Sequence, residues 1–376
     1  MKLKSLLATC VAAGIGLGAV PASAETFRAA TWNASGSMND RFLTDFANLV
    51  KEYSDGSVEF EVFPGGVLFP ADGSLQGISS GVAQLANITA AYIPSDLPVD
   101  AVASDMSFLA DDQLALAFAK TEVTFFNKQM QEELAKKKGI VFVTSFSIGI
   151  YYPICGFDLK DMSGLDGKKV RTSSSAQIDF IGEYGGVPVS VPGTEIYTGI
   201  QRGSLDCALG DPLFLTEFFK LSEVAKSVYQ LPLGSNANGG YYVNQGFWQD
   251  RSPEERRDIL HALSRATAAS MIDYGKRVDA AWETSKKDGV ALNAPTAEDE
   301  QALAAFKEKF VANLPQMEMD KRGISDPTEL IDEMQASMEK WKKLLAGIDR
   351  NNVDQVTQLL DEQIFDKVDV NTYGVN

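Results

Sequence analysis

Residues 167–191 read GKKVRTSSSAQIDFIGEYGGVPVSV. KKVRT and VPVSV have the composition of short strands, and Ala176–Tyr184 between them reads as a helix, so the stretch is one β-α-β unit of an α/β protein. Three cations in a chain of net charge −17 suggest a phosphate cradle. The pattern G-x-x-x-x-G-K-[ST] excludes it, because Lys168 is followed by Lys169 and Met162 stands five residues before Gly167. Arg171 closes the first strand, and Thr172–Ser175 supply N-cap candidates for the helix, with Gln177 and Asp179 in its first turn. A guanidinium at the carboxyl end of a strand, beside the free N–H groups of a helix start, suits a carboxylate. Arginine fits better than lysine, since its planar fork makes two parallel charge-assisted bonds. The competing reading is an arginine in a structural surface ion pair.

Outward from this unit the α/β rhythm continues. From about Ile150 come strands YYPICG, KKVRT, VPVSV and LDCAL, with helices at 176–184, 195–203 and 212–226. Before it, TFRAATW, a helix carrying Phe42, Phe46, Leu49, Val50 and Tyr53, and VEFEVF form another β-α-β unit. A short helix near 74–80, the strand GVAQLANITA, a helix over 111–138 and the buried strand IVFVTSFSIG follow. YQLPL and GGYYVNQGFW read as strands, the latter returning to the first lobe. Ser252-Pro253 opens a helix with no breaker before Gly275, extending to about Lys287. At 1.5 Å per residue its roughly 36 residues span about 54 Å, more than one lobe. ALNAP and three charged amphipathic helices complete the chain.

With 376 residues, the chain exceeds one comfortable core and should divide into two lobes. Lys2 and Lys4, the apolar run Leu6–Val20 and Ala22-Ser23-Ala24 form a signal peptide with a small-x-small cleavage site. The protein is therefore expected in the periplasm, with no membrane insertion of the mature chain. Cys10 as a lipidation site is the weaker reading, with Thr9 a poor residue before such a cysteine. Removing Lys2 and Lys4 with the leader takes the charge from −17 to −19, which excludes nucleic acid as a partner.

Cys155 and Cys207 remain, either bridged if their strands are neighbours or as two buried thiols. Two cysteines and the single His261 cannot build a closed zinc site, and no calcium loop appears, so no metal or cofactor is expected. His261, between Leu260 and Leu263 on the long helix, has no nucleophile motif around it. The acidic pairs Glu254-Glu255 and Asp111-Asp112 sit at helix starts, where the macrodipole explains them. GIGLG at 14–18 falls inside the leader. Nothing points to an enzyme.

The stretch LDGKKVRTSSSAQIDFIGEYGGVPVSVPGTEIYTGIQRGSLDCALGDP resembles the central signature of substrate-binding proteins of TRAP transporters, the DctP-like family. FANLVKEYSDGSVEFEVFPGG, GISSGVAQLANITAAY and YYVNQGFWQDRSPEERRDIL extend the resemblance over roughly residues 27 to 345. It implies a two-lobe periplasmic binding protein clamshell with a long helix spanning both lobes. It also implies a small organic acid as ligand and TRAP membrane permease subunits as partners. In this family the arginine of the GKK-[VI]-R strand pairs with the ligand carboxylate, which places that role on Arg171. The expected division is a signal at 1–24, a first lobe of 25–148 with about 239–285, a second of 149–238 with about 286–345, and a C-terminal helical tail at 346–376.

The chain departs from the family pattern twice. Where many members carry a second arginine it has IYYPIC, with Tyr151 or Tyr152 nearest, which favours a monocarboxylate, aromatic or hydroxylated. Where many carry D-G-x-E-N-P it has DCALGDP, so either Gly210 or Asp211 takes the place of the ligand-contacting asparagine. An Asp211 facing the pocket would repel a second carboxylate. Strand ends nominate Trp32, Asn33 and Tyr92 from the first lobe, and Tyr151, Phe214 and Asn236 from the second. Each has a plain alternative, an aromatic packed on its own lobe or a turn asparagine. The alternatives to a TRAP receptor are the binding protein of an ATP-driven (ABC) importer, or a periplasmic lyase or hydrolase on a similar cleft.

Overall fold

The computed structural model describes residues 25–136, 139–236 and 239–375. The expected leader, with Cys10 and Ala22–Ala24, lies outside them. The chain begins β1 (Thr26–Ala30), α1 (Met38–Tyr53), β2 (Glu59–Phe63), α2 (Ser74–Ser79), β3 (Leu85–Thr89) and α3 (Pro98–Asp105). α4 (Gln113–Phe126), α5 (Lys128–Lys136) and β4 (Ile140–Phe146) follow. A second group comprises β5 (Tyr152–Cys155), β6 (Lys169–Arg171), α6 (Ser175–Glu183), β7 (Val187–Val189), α7 (Ile196–Arg202), β8 (Cys207–Gly210) and β9 (Ser227–Tyr229). The remainder is β10 (Gly239–Asn244), α8 (Gln245–Gln249), α9 (Pro253–Lys287), β11 (Ala291–Asn293), α10 (Ala297–Arg322), α11 (Thr328–Ala346) and α12 (Val353–Gln363).

These strands build two sheets, ordered β2-β1-β3-β10-β4 and β11-β9-β5-β8-β6-β7. β3 and β4 are near-continuous apolar runs because they are covered on both faces. β10 returns antiparallel between them, so the first sheet is closed by a segment that follows the whole second group. In the second sheet β6 lies parallel between β7 and β8, with Arg171 opposite Val189 and Ala208. Cys155 faces Cys207 across the antiparallel β5–β8 pair, and the two are joined in a disulfide.

Two crossing segments connect the sheets and pair with each other. The Tyr151 N–H donates to the Gly234 carbonyl at 2.7 Å, and the Leu233 N–H to the Tyr151 carbonyl at 2.9 Å. Gly234 has φ +81°, and a Cβ there would lie 2.4 Å from the Phe108 Cα, so glycine is required both for the turn and for the approach. The third link is α9. Ser252 and Glu255 form a capping box with Pro253 in the first turn, which fixes the start of this 35-residue helix. Its first half lies on the first lobe, with Thr267 bonded to Thr144 at 3.0 Å. Its second half reaches the other lobe, where Arg277 Nε donates to Glu217 at 2.9 Å and Trp282 meets the Tyr152 ring at 5.4 Å.

Four local readings are corrected. The helix expected over 111–138 breaks at Asn127, which ends α4 through its N–H to Val123 and caps α5 by accepting from Met130 N at 3.0 Å. The helix expected over 212–226 is a π-helical turn at Phe214–Phe218 and a 3-10 turn at Leu221–Glu223, separated by Lys220 at φ +51°. GGYYVNQGFW is strand only to Asn244, whose side chain caps α8. Residues 286–345 do not all join the second lobe. α10 starts there, with Asp299 accepting from Tyr184 at 3.2 Å, whereas α11 lies on α4 of the first. Its apolar face, Leu330, Ile331, Met334, Met338 and Trp341, needs an apolar partner, and α4 is buried nearly all round.

The C-terminal segment packs against the first lobe. Arg256 and Arg257 donate to the carbonyls of Val370 (2.9 Å) and Val368 (2.7 Å), and Trp248 Nε1 donates to that of Tyr373 at 2.7 Å. His261 sits on this outer side of α9, 2.9 Å from Asp366.

Candidate ligand-binding cleft

A cavity of about 480 Å³ opens between the two lobes at the carboxyl ends of β1, β3 and β6. From the first lobe it is lined by Trp32, Asn33, Asn39, Thr89 and Tyr92, among others, from the crossing segments by Ile148, Tyr151 and Asn236, and from the second by Arg171, Thr172, Ser173 and Ser190. Tyr274 of α9 and Phe218 complete it. Six residues nominated from the sequence are thus brought together: Arg171, Tyr151, Trp32, Asn33, Tyr92 and Asn236.

Arg171 is placed by its strand. The Thr172 N–H donates to the Val189 carbonyl, which carries the sheet one residue past β6 before α6 begins. Ser174 is the N-cap, accepting from Gln177 N at 3.3 Å, and Gln177 answers by accepting from Ser173 N and Oγ at 3.0 Å. Gln177 Nε2 also donates to the Leu233 carbonyl, anchoring the start of α6 to a crossing segment. The guanidinium meets Tyr151, its Nε lies 3.4 Å from the Val191 carbonyl, and its Nη1 is buried with no hydrogen-bond partner. Among the described residues no carboxylate pairs with Arg171, and it is the one charged side chain on the cavity wall. Lys168 turns away to Asp206 (4.0 Å) and the Phe157 ring (5.1 Å), and Lys169 is exposed.

The other walls are neutral donors, acceptors and rings. Tyr151 is buried and bonds Arg171 and Asn236; burial pushes its phenol well above the usual range, so it stays protonated. Trp32 meets Tyr92 edge-on at 5.5 Å, and its Nε1 is a second buried donor without a partner. Asn33 Oδ1 accepts from Asn39 Nδ2 at 2.9 Å and from the Thr31 hydroxyl at 3.1 Å, which holds the loop after β1. Unpaired buried donors cost about 1–3 kcal/mol each, and a ligand acceptor recovers that cost.

Two nominated residues stand behind the wall instead of on it. Asp211 is fully buried, with its carboxylate accepting from Tyr274 Oη at 2.5 Å and Leu213 N at 2.8 Å. Phe214 packs edge-on against Tyr151 at 5.6 Å. The turn after β8 rotates both away, since Asp211 caps that turn and Phe214 covers Gly210, where a Cβ would lie 2.3 Å from its ring. Gly210 does not line the cavity either. Among the wall residues that sequence reasoning missed are Tyr274 and Phe218. Tyr274 lies in mid-helix with no local signal that distinguishes a cavity tyrosine from a core one, and Phe218 depends on the irregular turn.

A second cleft of about 450 Å³ between α4, α10 and α11 is lined by Leu109, Leu116, Val311 and Met338, with Lys307 at its edge. It is remote from the strand ends. Among the described residues no group of His, Cys, Asp or Glu is arranged to hold a metal ion, and no helix is long and apolar enough to cross a membrane.

Two α/β lobes joined by paired crossing strands and one shared helix, with Arg171 on the wall of the seam, have the architecture of a two-lobe solute receptor. Residues 29–317 match the family described as bacterial extracellular solute-binding protein, family 7 (DctP), and the chain belongs to that family. It is similar to the ectoine-binding periplasmic protein TeaA of Halomonas elongata, 23% identical over 352 residues, covering 90% of this chain and 97% of that protein. It is also similar to the C4-dicarboxylate-binding periplasmic protein DctP of Rhodobacter capsulatus, 24% identical over 285 residues, with 74% and 76% covered. The fold resembles a TRAP periplasmic solute binding protein from Desulfovibrio salexigens, with TM-score 0.75, 15% identity and coverage of 85% of this chain and 97% of that one. The protein is thus a solute-binding protein of that bacterial extracellular family.

Proposed function

We propose that the protein captures an organic monocarboxylate in the periplasm, after export by its N-terminal signal, and delivers it to the membrane subunits of a TRAP permease. One observation carries the choice of ligand class: Arg171, with no acidic partner, is the single charged side chain on the cavity wall among the described residues. One guanidinium neutralises one carboxylate; a second would be buried against neutral walls at a cost of several kcal/mol. The names of the two curated relatives, one for ectoine and one for C4-dicarboxylates, leave the ligand of this chain open. The rings of Trp32, Tyr92, Phe146 and Phe218 suit a flat or apolar body behind the acid. Binding is a closure equilibrium, in which the acid meets Arg171, the lobes shut and loss of water strengthens the pair.

A thermal-shift screen of mono- against dicarboxylates, aromatic and aliphatic, checks this. Monocarboxylates are expected to raise the melting temperature while dicarboxylates of the same skeleton do so weakly or not at all. Stabilisation by dicarboxylates alone would overturn the reading.

A further inference from the structure

Asp211 ends the strand β8 in a position that joins three parts of the molecule. Its carboxylate accepts from the Tyr274 hydroxyl of α9, from Leu213 N and Phe214 N of its own turn, and from Gly149 N of a crossing segment. The fit is close, for a Cβ on Gly149 would lie 2.9 Å from the Asp211 Cβ. Among the described residues no cation pairs with this fully buried acid. Tyr274 and Tyr151 both line the cavity and both feel its charge, as does Tyr152 on β5. From β6 the facing charge is Arg171, which reaches this group through Tyr151.

We propose that Asp211 is the charge filter of the cleft: standing behind Tyr151 and Tyr274 without touching the ligand, its carboxylate opposes negative charge in the cavity, so that dianions are refused and a monoanion binds with uptake of a proton. The inference rests on Arg171 as the carboxylate anchor. With Asp211 ionised, the Arg171–Asp211 region is neutral; a bound monoanion leaves one excess negative charge, which protonation of Asp211 removes, and a dianion leaves two. Burial has already pushed the Asp211 carboxyl up to about 6, against hydrogen bonds from Tyr274 and the three N–H groups that hold it down. A bound anion moves it higher, so the complex holds more protons than the free protein and affinity rises as pH falls from 7.5 to 5. An ordinary ligand carboxylate titrates near or below the lower end of that range, and the same ligand on Asp211→Asn measures what its own protonation contributes. His261, on the outer side of α9 with Asp366, is common to wild type and variant and cancels between them.

Calorimetry between pH 5 and 7.5 on acetate, lactate, benzoate and 4-hydroxybenzoate, with succinate and phthalate compared at pH 7.5, where both are dianions, tests the proposal in the wild type, Asp211→Asn and Arg171→Ala. For the tightest monocarboxylate, the wild type is expected to bind about 3–10-fold more tightly at pH 5 than at 7.5. Asp211→Asn should be flat within twofold, and its preference for mono- over dicarboxylate at pH 7.5 should fall at least about fivefold. An unchanged slope and preference in Asp211→Asn, with binding lost in Arg171→Ala, overturns the filter and leaves the anchor standing. If none of the monocarboxylates binds, or Arg171→Ala binds them equally, the anchor fails and the filter with it. Tyr274→Phe removes one bond that keeps the acid ionised and should move the pH midpoint upward, so an unmoved midpoint also overturns the proposal, even where Asp211→Asn does not fold.

Discussion

Arg171→Ala abolishes ligand-induced stabilisation and leaves the melting temperature of the ligand-free protein within about 1–2 °C of the wild type. The two halves of this result have separate causes. In the free protein the guanidinium forms no ion pair among the described residues, its Nε contact to Val191 is long and its Nη1 is unpaired, so truncation strands no buried carboxylate. In the complex, removal leaves the ligand carboxylate desolvated beside neutral groups, a loss of about 3–5 kcal/mol, or roughly 100-fold or more in affinity. Arg171→Lys restores charge without the fork and should recover part of that loss. Calorimetry and thermal shift on the three proteins check it, and a large fall in the ligand-free melting temperature of Arg171→Ala would assign the residue a structural role instead.

Loss of the disulfide is the second large effect. Cys155 and Cys207 are fully buried at facing positions of β5 and β8, 52 residues apart in sequence. Opening the bridge frees a loop of that length in the unfolded chain, which on the chain-entropy account costs about 4 kcal/mol, with measured losses commonly about 2–5. The same two strands run on to Tyr151 and Asp211, so the second lobe should unfold first. Cys155→Ala with Cys207→Ala is expected to lower the denaturation midpoint by a corresponding amount while the folded fraction keeps its ligand affinity. An unchanged midpoint would show that the sheet holds without the bond.

The fold was legible where local chemistry and tertiary context agree. Ser252, Pro253 and Glu255 announce the start of α9, no breaker stands before Gly275, and the helix runs through that glycine to Lys287, so it braces both lobes as expected of a continuous helix. The position of Arg171 at a strand end before a capping run of serines was legible, while its expected role came from the family resemblance and not from those letters. The break at Asn127 was not legible, since neither glycine nor proline marks it and one asparagine closes α4 with its backbone N–H and opens α5 with its side chain. The placement of α11 was hidden for another reason: an amphipathic pattern states that a face is buried, not against what. The burial of Asp211 behind Tyr151 depends on how residues 210–214 turn after β8, a choice set by the fit of Phe214 over Gly210 and of Asp211 beside Gly149. Spacing within DCALGDP carries neither contact.

The most direct measurement is calorimetry of the tightest-binding acid against its own primary amide, which keeps the skeleton and removes the charge. If Arg171 anchors a carboxylate, the acid binds and the amide is weaker by about 100-fold or more. Equal affinity of acid and amide would contradict the anchor, and with it the assignment of the ligand as an organic acid.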